Sequence, residues 1–319
     1  MDCYSELDDI LKLFKEDVIV KSGYPSFKYG QLIASKGTNG RLGRVEMQPS
    51  CQSDIFKDSI LEYKGNYRFL HFTKYCILES IIKSKTIRMY ELNHMEDKNE
   101  LILGYTNFIN QQNNNFINEN LLKEDKSKLF SLSLNEYDEE SITKEYMWEK
   151  YGDKGSGVCL DISIDTSNFK DWFRLYIGSI QYIEKGKTKL NQLGNNYNNF
   201  ISKHNFKIYN ISEYLAVLFS FYKTKTKFEP ENEVRLLNYV EKDICCTYKY
   251  IKPIDDNISK TKFVNINLFP NNNEAYNRPL IRINTIIFGK DINYFSKKSN
   301  DIKELLKENF NYNPQIIKL

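Results

Sequence analysis

Histidine and tryptophan are scarce in this chain, at 3 and 2 of 319 residues. With so few histidines, no Ser-His-Asp or Cys-His catalytic arrangement can be nominated, and no histidine pair stands at zinc-ligand spacing. The cysteines, Cys3, Cys51, Cys76, Cys159, Cys245 and Cys246, form no C-x-x-C. In a long chain without a secretion signal they are expected to stay reduced, with Cys159 as a buried strand residue. No stretch approaches the roughly 18 uninterrupted apolar residues of a membrane span. The N-terminus, MDCYSELDDILKLF, carries acids where a signal peptide needs a basic region. A cytoplasmic protein with no membrane partner is the expectation. Excess charge of one sign is also lacking: 45 basic and 42 acidic residues leave a formal net charge of +3. That removes the simplest case for nucleic-acid binding, a strongly basic domain.

What is present is an apolar content of 41% with 23 Tyr and 20 Phe, enough for a sizeable core. Residues 1–66 are expected to form an N-terminal extension or small accessory module, and residues 67–319 a main domain. In the extension, Ser5 is placed to cap a helix with Leu7, Ile10, Leu11 and Phe14 at helical spacing. From Tyr67 onward the patterning tightens. YRFLHF suggests a strand, and Thr73 the cap of a helix carrying Ile77, Leu78, Ile81 and Ile82. TIRMYEL, LFSLSL, GVCLDISI, LYIGSIQYI and IRINTIIFG suggest strands. SITKEYMWEKYG suggests a helix capped by Ser141, and YNISEYLAVLFSFY a helix buried between layers. EVRLLNYV and ICCTYKYIK suggest a hairpin, DIKELLKENF a helix and PQIIKL a last strand. The Asn-rich stretches at 107–120 and 191–200 suggest loops or polar helix faces. Elements interspersed without regular βαβ alternation indicate an α+β fold of mixed, mainly antiparallel sheets with packed helices.

Several groupings could carry chemistry. His71-Phe72-Thr73 stands where a strand is expected to meet a helix, a place suited to a phosphate or ribose; a core histidine beside a capping threonine is the bland alternative. On a helix, Glu96 or Asp97 would share a face with Glu100 and could hold a divalent cation or orient a base, or the three could be the solvated first turn of a helix. Trp148 and Tyr151, three apart, could stack on a planar ring or belong to the core. Gly155 and Gly157 complete no phosphate-loop pattern. FEPENEVRLL is the most informative stretch. On a strand, Glu231, Glu233 and Arg235 lie on one face and Val234 and Leu236 on the other. Such charges are either solvent-exposed or line a polar cleft, where the guanidinium could orient one acid and leave the other to act. The lysines of FYKTKTKFEP and KGKTKL flank turns and are expected to be solvated.

In this order the blocks resemble a bacterial family catalogued as a domain of unknown function. Its members read H-Y-T before a helix, then N-D-P-x-E, C-F-S, W-x-x-Y with G-x-G-V-C, and F-x-x-E-x-E-x-R. Here the corresponding residues are His71-Phe72-Thr73, Glu96 to Glu100, Phe130 to Ser133, and Trp148 to Tyr151. Gly155 to Cys159 and Phe228 to Arg235 complete the series. Glu96 and Lys98 depart from the family's Asn and Pro.

The opening block also resembles that of ADP-ribosyltransferases. This resemblance implies an NAD-using transferase or NAD-cleaving enzyme of a bacterial toxin or defence system. His71 and Thr73 would hold the ribose, Glu233 would be the catalytic carboxylate, and Glu231 would orient or activate the acceptor. Tyr90, Trp148 or Tyr151 would stack on a ring, and Arg235 would join the cofactor-binding set. The implied partners are a dinucleotide, an acceptor protein or nucleic acid, and a second copy or defence-system protein; no metal is expected. Two other classes stay open. One is a metal-dependent nuclease or hydrolase using Asp97, Glu100, Glu231 and Glu233. The other is a non-catalytic nucleotide- or nucleic-acid-sensing module in phage defence.

Overall fold

TIRMYE alternates between half-buried and buried residues, whereas VCLDISI is buried almost throughout. The first pattern suits a strand with one open face and the second a strand covered on both. The computed structural model describes residues 3–24, 32–36, 42–47, 49–50, 52–95, 97–109, 119–167, 169, 172–184, 188–204, 208–209, 211–240, 254–256, 261–268 and 279–319. It opens with α1 (Cys3–Phe14), β1 (Leu32–Lys36) and β2 (Leu42–Met47). There follow β3 (Arg68–Thr73), α2 (Tyr75–Ser84), β4 (Thr86–Glu91), α3 (Ile102–Ile109), α4 (Glu119–Ser127) and β5 (Leu129–Glu136). Next come α5 (Glu139–Ile142), α6 (Glu145–Lys150), β6 (Val158–Asp165), β7 (Leu175–Ser179), β8 (Gln181–Ile183) and α7 (Lys189–His204). After these stand β9 (Ile208–Tyr209), α8 (Ile211–Phe219), β10 (Tyr222–Thr224), α9 (Lys225–Phe228) and β11 (Glu233–Tyr239). The chain closes with β12 (Ile254–Asp256), β13 (Thr261–Asn267), β14 (Leu280–Phe288), α10 (Phe295–Asn309) and β15 (Gln315–Lys318).

The protein is α+β, built on a mixed, mostly antiparallel ten-stranded sheet in the order β12-β13-β4-β5-β3-β6-β14-β15, with β11 and β7 joined through β5. The sheet forks at β5. Along one edge, β11 pairs with β5 from Leu129 to Asn135. The other edge is shared: β4 takes Phe130 and Ser131, and β3 takes Asn135 and Glu136. Between these contacts Leu132, Ser133 and Leu134 face neither strand, so β3 and β4 splay apart. Helix α2 spans the gap and buries Leu78, Ile81 and Ile82.

Among the described residues three apolar clusters pack on the sheet, the smallest of them Leu70, Phe72, Met147, Trp148, Cys159 and Ile287. Val234 and Leu236 of β11 pack with Phe130, Leu132 and Leu134 of β5 in one. Leu237 and Tyr239 point oppositely, into a core shared with α7 and α8. That second core also holds Phe14, Val18, Ile19, Met47, Ile55 and Phe56, and β2 pairs with β9, so contacts cross the expected boundary at residue 66. Among the described residues no helix is long and apolar enough to cross a membrane.

Local expectations fail where a cap was assigned from residue type alone. Helix α1 begins before Ser5, which lies inside it. Thr73 is the last residue of β3, and Lys74 precedes α2 without a side-chain cap. SITKEYMWEK is split into two short helices, the first capped by Asp138 accepting from Glu140 N rather than by Ser141. LYIGSIQYI breaks at Ile180 into two strands of different sheets, and YNISEYLAVLFSFY ends as helix at Phe219 and continues into β10. The Asn-rich 191–200 stretch is helical within α7. The second arm of the hairpin expected after β11, ICCTYKYIK, lies outside the described residues, as does 110–118 of the other Asn-rich stretch.

Gly157 shows why the G-x-G segment is poor in side chains: a Cβ there would lie 2.4 Å from Thr73 O and 2.7 Å from Gly152 O. The glycine permits close backbone packing behind β3 rather than forming a phosphate cradle. Gly157→Ala is therefore expected to cost about 1–3 kcal/mol of stability through overpacking. A lowered urea midpoint at unchanged m-value would show it, and an unchanged midpoint would refute the close contact.

Candidate functional site

The fork leaves a cavity of about 290 Å³ between β3, β4, β5 and α2. Both Leu132 and Ser133 line it, as do both His71 and Phe72. Sequence neighbours on a strand point to opposite faces, so the cavity runs into the split itself. Apolar residues form much of its wall, with polar groups concentrated where β3, β5 and the turn before β11 meet.

His71, Thr73, Tyr90, Tyr151, Glu231 and Glu233 all line this cavity. His71 Nδ1 lies 3.4 Å from Ser133 O, a carbonyl on the stretch of β5 that neither β3 nor β4 pairs. A carbonyl only accepts, so Nδ1 carries the proton and Nε2 is left as an acceptor. Burial lowers the His71 pKa, which keeps the ring neutral. Ser133 Oγ donates to Glu233 Oε1 at 2.8 Å, so one serine joins the histidine to the glutamate through its carbonyl and its hydroxyl.

Behind the cavity lies a buried ion cluster. Arg235, 0% exposed, donates from Nε to Glu233 Oε1 at 2.9 Å and from Nη2 to Glu100 Oε1 at 2.6 Å. Its Nη1 donates to Ser220 O at the end of α8. Lys223 of β10 bridges the two glutamates, with Nζ 2.8 Å from Glu231 Oε2 and 2.5 Å from Glu233 Oε2. Glu231 Oε1 accepts from Lys150 Nζ at 2.6 Å and from Tyr151 OH at 2.5 Å. Burial alone would raise the pKa of Glu233, but Arg235 and Lys223 prevail and hold it at about 2. Burial also opposes ionisation of Glu231, yet Lys223 and Lys150 keep its pKa below the ordinary value. At Glu100 burial prevails over Arg235 and the pKa is raised.

Two candidates lie outside the lining. Trp148 is a core residue: its Nε1 donates to Ile142 O at 2.6 Å and its ring meets Phe72 edge-on at 5.2 Å. Arg235 is sealed beneath Glu233 and acts on the cavity through that carboxylate. Glu231 departs from the expected strand face. It ends the Glu229–Glu231 turn, and Asn232, at φ 45°, separates it from β11. Glu231 and Glu233 still converge because Lys223 ties them together.

The acidic stretch forms turns before α3 rather than a helix face, because the chain reverses there to bring Glu100 beneath Arg235. Glu96 lies outside the described residues. Asp97 Oδ1 accepts from Asn99 N within its own turn. Glu100 does approach Glu233, but through the guanidinium of Arg235. Arg235, Lys223 and Lys150 balance Glu100, Glu231 and Glu233, which removes the excess negative charge a divalent cation needs. Among the described residues, no group of three or more His, Cys, Asp or Glu is placed to hold a metal ion.

Lys223, Lys150 and Ser133 belong to the candidate site, although the sequence patterns singled out none of them as site residues. Lys223 sits in FYKTKTKFEP, expected to be solvated, yet it is 5% exposed. Its apolar neighbours Phe221 and Tyr222 were the one local signal that the chain enters the interior there. Residues 185–187 of the other lysine stretch lie outside the described residues.

Residues 147–236 match a family model described as a protein of unknown function, DUF2971. The match runs from α6 through most of β11, and so holds Tyr151, Lys223, Glu231, Glu233 and Arg235 but not His71, Thr73 or Ser133. Comparison with curated proteins and with solved structures gives no match.

The cluster sets a sign for pH dependence. A glutamate held at about 2 against an ordinary 4.5 contributes stability that is complete above 4.5 and lost as pH falls toward 2. Glu233→Gln should destabilise the protein at neutral pH, leaving Arg235 and Lys223 undercompensated, and should flatten this acid limb. Urea unfolding at stepped pH checks both; an acid limb equally steep in the variant would contradict the assignment.

Proposed function

We propose that the cavity at the sheet fork binds NAD and that the protein is an ADP-ribosyltransferase-like or NAD-cleaving enzyme. The observation that carries this reading is the His71–Ser133–Glu233 connection, which brings a neutral histidine and an ionised carboxylate from distant strands to one cavity. In this reading His71 Nε2 accepts a hydrogen bond from a ribose hydroxyl, Thr73 adds a hydroxyl partner, and Tyr90 or Tyr151 borders the ring. The bond between ribose C1′ and the nicotinamide nitrogen breaks, and its electron pair leaves with nicotinamide. The ribose then carries oxocarbenium character, which a carboxylate stabilises electrostatically. Glu233 suits that task because it stays ionised at any physiological pH. Its low pKa makes it a poor proton donor or acceptor. The acceptor, whether water or a group on protein or nucleic acid, forms the new bond at C1′ and releases its proton to solvent water. Glu231, also of lowered pKa, would orient that acceptor rather than deprotonate it.

One observation favours a second reading, a pocket that binds NAD without cleaving it. Both glutamates are already engaged by several donors, and Glu233 Oε2 is enclosed against Lys223. Incubation with NAD, followed by separation of nicotinamide and ADP-ribose, distinguishes the two. Enzyme action predicts release of nicotinamide, reduced about 100-fold or more in Glu233→Gln that folds normally by circular dichroism. His71→Ala should weaken NAD binding while leaving the fold intact. Binding without turnover would favour the second reading, and wild-type protein that neither binds nor cleaves NAD would refute both.

A further inference from the structure

At the β3, β5 and β11 end of the cavity, His71, Ser133 and Asn135 have committed their protons inside the protein. His71 holds its proton on Nδ1, against Ser133 O. Ser133 Oγ donates to Glu233 Oε1. Asn135, which shares a face of β5 with Ser133 and lines the same cavity, donates from Nδ2 to Glu231 O. The same nitrogen lies 3.9 Å from Met147 Sδ. A carbonyl and a thioether both accept, so only the nitrogen of the amide can face them. The Asn135 amide is thereby fixed in orientation, and Oδ1 is the polar atom it has left for a ligand. Turning the amide over would set Oδ1 against two acceptors and strip Glu231 O of its donor. A group that docks on Asn135 must therefore bring the proton.

Asn135 also has a defined place along the substrate. It stands directly opposite Glu233 in the β5–β11 register, where paired Cβ atoms lie about 4.5–5.5 Å apart. On the NAD reading of this cavity, Glu233 faces the ribose carbon from which nicotinamide departs. The pyridine ring on that carbon then comes to lie beside Asn135. Its carboxamide carries an NH2, the donor that Oδ1 lacks. In the deamidated dinucleotide a carboxylate stands in its place. That group is ionised at neutral pH, has no proton to give and meets Oδ1 as acceptor against acceptor.

Resting on that reading, we propose that Asn135 is a specificity-determining residue, which accepts from the nicotinamide NH2 and turns away the dinucleotide whose ring carries a carboxylate. The selection lies in the locked amide, because a freely turning one would serve either ring.

The test compares NAD with nicotinic acid adenine dinucleotide, in wild type and in Asn135→Leu. The readout is affinity by calorimetry, or kcat/KM where the dinucleotide is turned over. The wild type is expected to favour NAD by about tenfold or more. Asn135→Leu removes the amide at similar size and should bring the two dinucleotides together. A purely structural role for the bond from Asn135 to Glu231 O would weaken both alike and leave their ratio, which would overturn the proposal. Asn135→Thr, a residue suited to a strand, takes the place of the leucine variant should that melt early. A wild type that binds both equally, or the carboxylate form more tightly, would overturn the selection while leaving NAD binding intact. A wild type that binds neither would overturn the NAD reading and this selection together.

Discussion

The guanidinium of Arg235 sits at a point where a strand, a turn and a helix end must all be satisfied at once. It is fully buried, and its donors reach Glu233 on its own strand, Glu100 before α3 and Ser220 after α8. An arginine cannot shed its charge, so the surrounding chain has to supply anions with matching geometry. Glu233 and Glu100 do so, and Lys223 in turn offsets the negative charge that Glu233 and Glu231 bring together. The position of the turn at 97–100, the path of β10 and the orientation of Glu233 all follow from this requirement. A cavity wall bearing an ionised carboxylate is the by-product.

The fork in the sheet supplies the space. β5 offers one edge entirely to β11 and divides the other between β4 and β3. Two strands cannot occupy the same edge at the same height, so they diverge, and α2 closes the gap from one side. Backbone groups of β5 that would otherwise be spent on sheet pairing become available, as the bond from His71 to Ser133 O shows. The opening thus places polar backbone, a neutral histidine and the ion cluster around one apolar cavity.

Strand and helix positions were largely legible where patterning was strong. β4, β5, β6 and β14 follow their apolar runs, and α2 buries Leu78, Ile81 and Ile82 of the expected stripe. Caps were less so. Thr73 and Ser141 have capping chemistry, but strand pairing keeps Thr73 in β3 and Asp138 caps α5 ahead of Ser141, while Ser5 lies inside α1. The candidate site was half legible. E-x-E-x-R identified Glu231, Glu233 and Arg235, and H-F-T identified His71 and Thr73. Trp148 had the residue type of a stacking platform, yet its indole N–H is used by Ile142 O inside the core.

By itself, the sequence determined the mixed α+β class, most strands of the sheet (β12 and β13 aside) and the residue types available for chemistry, because these rest on local periodicity and composition. Only the tertiary structure decided which charges are buried together. Lys223 and Lys225 stand two apart in one lysine-rich stretch, but one bridges two buried glutamates and the other reaches exposed carboxylates. That difference arises from long-range pairing of β10 with β8 and of β11 with β5, which no local pattern encodes. The scarcity of histidine narrowed attention to His71, and the fork in the sheet put it in one cavity with Glu233, joined through Ser133.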